Sequence, residues 1–337
     1  MNEYIDKIKA IASGMGEVRI MEVCGGHTNS IMKYGIRGLL PKNIKLISGP
    51  GCPVCVTSQS DIDAAIELAL NHIPLAAYGD MMHVPGSKMS LRDAQARGAD
   101  IKTLYSVDQI INDRKRVFFA VGFETTTPMT AKLLSEGITV FSSHKLIPPA
   151  MKVLVTEMKI DGFIDPGHVS TIIGEDIWRT LDIPRPQVIS GFQPDALLRA
   201  IYRLIVLIKE KRVEVINDYE EVVLPKGNML AQALIKKTMK EYDAEWRGIG
   251  VLPKSGLIPR DPKLDARLVF EEIVSKAPAA KDNGCRCGEI VRGMIEPRDC
   301  KFFGKECTPE RPMGACMVSD SEGACAIAFK YGRSLSE

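Results

Sequence analysis

Short apolar runs alternate with amphipathic stretches along most of the chain. Residues 3–12 place apolar side chains three and four apart, the spacing of an amphipathic helix. Arg19–Cys24 and Ile44–Ile47 are short and β-compatible, which predicts buried strands. A helix is expected over 29–37 and another over Asp61–Asn71, with Ser60 as its cap. Further strands are predicted at Leu75–Tyr78, Ile101–Leu104, Val117–Val121, Thr139–Phe141, Gly162–Ile164 and Gln187–Ile189. Helices are expected near Leu91–Arg97, Val107–Arg114, Pro128–Glu136 and Pro149–Met158, and loops at Gly79–Ser87 and Asp165–His168. A long helix runs from Asp195 to about Lys211, and two more lie near Met229–Tyr242 and Leu264–Ser275. No internal repeat stands out.

This alternation predicts an α/β protein with parallel sheets. The expected layout is two similar α/β domains, 1–142 and 143–275, followed by a small cysteine-rich segment, 276–337. In parallel sheets, ligands sit at the C-terminal ends of the strands. Cys24, Cys52, Cys55, Glu124 and His168 each follow a predicted strand, so they are candidates to share one cleft.

Composition narrows the function classes. The 337 residues are 45% hydrophobic and 26% charged, ordinary for a soluble chain large enough for two or three domains. A net charge of +2 without a basic block gives nucleic-acid binding no electrostatic support. No apolar run approaches the ~18 residues of a membrane span. The first residues lack the basic and apolar regions of a signal peptide, so a cytoplasmic, reducing setting is expected. There, clustered cysteines are metal ligands or redox thiols rather than structural staples.

Six of the nine cysteines fall between Cys285 and Cys325, in a stretch rich in Gly, Pro and charge. Such a segment has little apolar material for a core. Cys285, Cys287, Cys300, Cys307, Cys316 and Cys325 show no C-x2-C knuckle and no histidine, which favours an iron–sulfur cluster over zinc or a disulfide set. Four thiolates suffice for a cubane cluster, leaving two for a thiol–disulfide pair. Cys52-Pro53-Val54-Cys55 is a C-x2-C before a helix, suited to redox exchange or ligation, or simply two packed thiols. Cys24 heads Gly25-Gly26-His27, where His27 is a proton acceptor or second ligand if the thiol does more than pack. Glu124 lies in Gly122-Phe123-Glu124-Thr125-Thr126-Thr127-Pro128, an anion site or, more plainly, a helix start with Thr127 as cap. It is no P-loop, and Gly14-x-Gly16 lacks the third glycine of a dinucleotide fingerprint.

Taken together, EVCGGHT (22–28), GPGCPVC (49–55), GFETTTP (122–128), DPGHVS (165–170), SGFQP (190–194) and CTPERPMGACMVSDSEGAC (307–325) resemble the HypD family of [NiFe]-hydrogenase maturation proteins. The resemblance runs from about residue 20 to the C-terminus. It implies an iron–sulfur scaffold that works with the partner HypC on an iron receiving two cyanides and one carbon monoxide. Cyanide would come through HypE, supplied by HypF, and the Fe(CN)2CO group would pass to the hydrogenase large-subunit precursor. By the same resemblance Cys24 is the thiolate on that iron and Cys52/Cys55 a redox-active dithiol, with His27, Glu124 and the threonines lining the cleft. The family's spacing, C-x14-C-x6-C-x16-C, maps a [4Fe-4S] cluster onto Cys285, Cys300, Cys307 and Cys325, although the last gap here is x17. Cys287 and Cys316 are then the redox pair, as in ferredoxin:thioredoxin reductase, with Cys285 and Cys287 able to exchange roles. An iron–sulfur disulfide reductase acting on a protein substrate is the alternative, and a zinc-bearing docking module a third reading.

Overall fold

The expected alternation folds into two sheets. The computed structural model describes residues 2–279 and 283–332, so the C-terminal segment is seen apart from 280–282 and 333–337. In chain order the strands are β1 (Val18–Glu22), β2 (Ile44–Ser48), β3 (Leu75–Tyr78), β4 (Ile101–Leu104), β5 (Val117–Gly122), β6 (Val140–Lys145), β7 (Gly162–Pro166), β8 (Gln187–Ser190), β9 (Val215–Asn217), β10 (Met239–Trp246) and β11 (Gly250–Pro259). One sheet, ordered β2-β1-β7-β8-β9, is wholly parallel. The other, β10-β11-β6-β5-β3-β4, is parallel from β6 to β4 and carries an antiparallel hairpin at its β6 edge.

The α/β class is as expected, with two parallel-dominated sheets and a cysteine-rich C-terminal region. The division of the chain between the sheets differs from a simple cut. Residue 143 lies inside β6, and each sheet draws strands from both sides of it. The chain enters the first sheet, leaves for β3–β6, returns for β7–β9 and leaves again for the hairpin.

Packing explains why the strands read as apolar runs. All six residues of β5 and all six of β6 are buried, with Pro53–Val56 packed on β5 and Thr127–Ser135 and Ala266–Val269 packed on β6. The helix Pro194–Lys209 lays Leu197, Leu198, Ile201, Leu204 and Ile205 against Ile20, Ile164 and Val188, with Ile5 and Ile8 of the helix Asn2–Ala12 beside them. Each such side chain contributes about 1.5–3 kcal/mol by leaving water. A buried ionic knot ties the second sheet to its surroundings: Asp61 accepts from Ser143 Oγ at 2.6 Å and Arg267 Nη2 at 2.7 Å, with Lys145 Nζ 3.6 Å away.

Several local expectations change. Ser58, not Ser60, caps the helix Gln59–Leu70, accepting from Asp61 N–H. Thr126, not Thr127, is the residue before the helix Thr127–Ser135, and Thr127 Oγ1 bonds Phe123 O instead. The loop expected at Gly79–Ser87 begins with a helical turn, Gly79–Met82. Val107–Ile110 is a 3-10 turn, and the stretch after Leu264 forms two short helical turns rather than one helix. The helix expected to Tyr242 stops at Thr238, where the chain turns into β10. In Met239-Lys-Glu-Tyr-Asp-Ala-Glu-Trp246, pairing with β11 overrides the helix-favouring Lys and Glu. Pro253 sits in β11 where the register shifts past Tyr242/Ala244, a bulge that tolerates the missing N–H. Among the described residues no helix is long and apolar enough to cross a membrane.

Candidate functional site

The C-terminal ends of β1, β2, β3, β4, β5 and β7 converge on one cleft of about 780 Å³. Cys24 and Val23 come from β1, Gly51 and Pro53 from β2, Asp80 and Tyr78 from β3, Tyr105 from β4, Thr125 and Thr126 from β5, and His168 from β7. Ser319, Ser321 and Glu322 of the cysteine-rich segment close one wall. Parallel pairing gathers the carboxyl ends of each sheet at one edge, and the two edges meet at this cleft.

Cys24 is the half-buried residue that precedes the helix Gly25–Lys33, in extended backbone conformation. Parallel pairing of β1 with β2 brings its loop against the Cys52 loop, and Gly25 N–H donates to Gly51 O at 2.9 Å. The loops touch so closely that a Cβ on Gly51 would stand 2.4 Å from Cys24 N, and one on Gly25 would stand 2.4 Å from Glu322 Cβ. Burial pushes the Cys24 thiol up to about 12, and the Glu322 carboxylate adds to the shift.

His27 stands behind Cys24 rather than in the cleft wall and is completely buried. Its Nε2–H donates to Ser190 O at 3.2 Å, so Nδ1 is the free acceptor, and it has no partner. Burial lowers its pKa to about 4, so the ring is neutral. Phe192 is sandwiched between His27, at 4.8 Å, and His168, at 4.1 Å. Glu124 also misses the cleft wall: its Oε1 accepts from Ile147 N–H at 3.0 Å, at the start of the helix Ile147–Glu157. Its other oxygen is unpartnered, and burial raises its pKa to about 8.

Cys52 and Cys55 are joined as a disulfide, with Cα atoms 5.3 Å apart and both residues buried. The short helix Pro53–Val56 holds them, and Cys52 Sγ accepts from Cys55 N–H. That helix packs against the turn Ala315–Met317 and the helix Cys287–Val291. These two elements carry the second disulfide, Cys287–Cys316. The remaining thiols of the segment, Cys285, Cys300, Cys307 and Cys325, are unpaired and surround one small cavity beside that disulfide. A Cβ on Gly314 would lie 2.5 Å from Cys285 Sγ, so glycine there gives the sulfur its room.

Sequence reasoning missed several neighbours. Glu22 is fully buried, accepts from Ser48 Oγ at 2.6 Å and Thr28 Oγ1 at 2.8 Å, and is raised by burial to about 8. Asp80 and Tyr105 follow strands β3 and β4, so the strand-end rule that singled out Cys24 applied to them as well. Glu322, in the SDSEGAC run, approaches the cleft only through the tertiary fold.

Fold and site together define an α/β protein whose nine cysteines form one tract, from a lone thiol in a cleft, past a disulfide, to a second disulfide bordered by four free thiols. The chain belongs to the HypD family: that family's model, described as the hydrogenase formation hypA family, matches residues 1–332. It is similar to the hydrogenase maturation factor HypD2 of Bradyrhizobium diazoefficiens, 44% identical over 97% of this chain and 92% of the relative. The hydrogenase maturation factors HypD of Rhizobium leguminosarum and Cupriavidus necator are 44% and 40% identical, each over 97% of this chain and over 91% and 93% of their own lengths.

Proposed function

We propose that the chain is a cytoplasmic [NiFe]-hydrogenase maturation scaffold that, with HypC, holds the iron of the Fe(CN)2CO group on Cys24. Cyanide arrives from HypE, and the finished group leaves for the hydrogenase large-subunit precursor. The observation that carries this reading is the tract of sulfurs itself. It begins at a lone thiol in a cleft large enough for an iron with diatomic ligands and for part of a partner protein.

Cys24 suits a soft metal cargo. Its thiol keeps its proton at neutral pH until a cation displaces it, so iron uptake releases a proton. The apolar walls Val23, Val54, Val121 and Phe123 limit water around the bound group. His27 holds a neutral ring behind the thiol. Opening the Cys52–Cys55 bond takes two electrons and two protons and gives two thiols on the loop that borders the cleft through Gly51, Pro53 and Val54.

Cys285, Cys300, Cys307 and Cys325 fit a [4Fe-4S] cluster. They are four unpaired thiols around one cavity, and burial with mutual repulsion holds the Cys325 thiol well above its ordinary range. Four thiolates share such a site only with cations among them. Among the described residues no three metal-binding side chains converge on a point for a single ion, and a cluster spreads its ligands wider than an ion does. When bound, the cluster supplies single electrons. Cys287 and Cys316 are the adjoining redox pair.

Infrared spectroscopy of the anaerobic complex with HypC tests the reading. Cyanide and carbon monoxide bands are expected, along with iron beyond four per chain. Cys24→Ala should abolish the bands and keep the cluster's visible absorbance; a wild-type complex without bands overturns the proposal. The rival, a reductase of protein disulfides, is disfavoured by Cys52 and Cys55 being only 4% and 2% exposed. Turnover of a disulfide substrate without HypC, undiminished in Cys24→Ala, would restore it.

A further inference from the structure

The turn between β10 and β11, residues Arg247 to Ile249, is wedged between the two cysteine-bearing regions. Arg247 N–H donates to Val56 O at 2.8 Å, directly after the Cys52–Cys55 helix. Its side chain turns inward: Nε donates to Thr57 O at 2.9 Å and Nη1 to Gln59 Oε1 at 3.0 Å. Nη2 is buried and has no partner among the described residues. On the other side, Gly248 lies against Gly288, so close that a Cβ on Gly248 would stand 2.3 Å from Gly288 Cα. That contact fixes the turn beside the helix Cys287–Val291 and next to Cys285. Burial pulls the guanidinium's pKa down, and the nearby Cys285 sulfur, Asp63 and Glu245 pull it back up. Among the described residues no carboxylate forms an ion pair with it; its two bonded acceptors are neutral.

An arginine is always charged, and a cation in a poorly solvated interior acts on its neighbours with little screening. One-electron reduction of a thiolate-bound cluster adds one negative charge and moves no atom. A fixed cation nearby favours the reduced form.

We propose that Arg247 is a positioning residue that raises the reduction potential of the cysteine-held centre at Cys285, coupling its charge to the Cys52–Cys55 helix. This rests on the reading of Cys285, Cys300, Cys307 and Cys325 as cluster ligands.

The test is a redox titration of the holoprotein, following the cluster's visible and electron paramagnetic resonance signals with dithionite as titrant. Iron and sulfide analysis of the wild type comes first; their absence defeats the cluster reading itself. With the cluster present, Arg247→Gln should shift the midpoint to more negative potential, and Arg247→Lys should stay close to wild type. Gln59→Glu, which keeps the arginine and places a carboxylate on Nη1, should shift the midpoint in the same negative direction. A Gln59→Glu midpoint equal to wild type overturns the proposal, as does an equal shift in Arg247→Gln and Arg247→Lys. If Arg247→Gln fails to hold iron, the Gln59→Glu result decides.

Discussion

Cysteine is organised in two different ways in this molecule. Around Cys24 the backbone does the work: six parallel strand ends, two interlocked loops and glycine-thin contacts place one thiol. Between Cys285 and Cys325 the described secondary structure is a five-residue helix and short 3-10 turns, ahead of the helix Ala324–Tyr331. There the sulfurs hold the backbone instead. The first region is shaped by its backbone alone, while the second, under the proposed function, depends on the cluster its thiols would bind.

The sharpest way to break this contrast is Cys300→Ser. Losing one of the four proposed cluster ligands should abolish the visible iron–sulfur absorbance and expose the segment to limited proteolysis, since metal binding energy in such small sites is folding energy. A protease-resistant variant would show that the turns stand alone. In the cleft the sensitive position is a glycine. Gly51→Ala forces a Cβ against Cys24 N, and chemical denaturation should show a loss of about 1–3 kcal/mol.

A smaller effect is expected at Glu124, read through pH. Its native carboxyl keeps its proton up to about pH 8, whereas the unfolded chain loses it near the ordinary glutamate value of 4.5. Its stabilising contribution is therefore complete below that lower value and lost as pH rises through about 8. Glu124→Gln should remove this slope and gain about 2 kcal/mol at the alkaline end, with little change in acid, in urea melts across the range. Smallest of all, Cys24→Ala should alter stability by less than about 1 kcal/mol, because a half-buried thiol in a preformed loop carries little of the core. A large loss there would erase the distinction between the two regions.

Much of this was legible in the sequence. Period and length located β3 and β4 to the residue, and the strand-end rule pointed to Cys24 and His168, which line the cleft, and to Cys52 and Cys55, which lie buried beside it. The split of the six late cysteines came from resemblance; in the structure Cys287 and Cys316 are bonded to each other. What could not be read depends on long-range pairing. Nothing local in Met239–Trp246 announces a strand, because its pairing partner starts only after the turn, and that partner, β11, joins the sheet at β6, more than a hundred residues earlier. His27 and Glu124 follow predicted strands yet point away from the cleft, since a strand-end position does not fix which face a side chain takes.

The threefold crossing of the chain between sheets has a consequence for synthesis. The first sheet lacks β7–β9 until residue 217 has left the ribosome, and the second lacks its hairpin edge until residue 259 has followed. Folding therefore waits on contacts far apart in sequence, the slow regime for α/β chains. A nascent or clipped chain carries Cys24 and the Cys52–Cys55 pair without the walls that shield them. A walled cleft thus marks a finished translation product; under the proposed function, half-made copies would hold no iron.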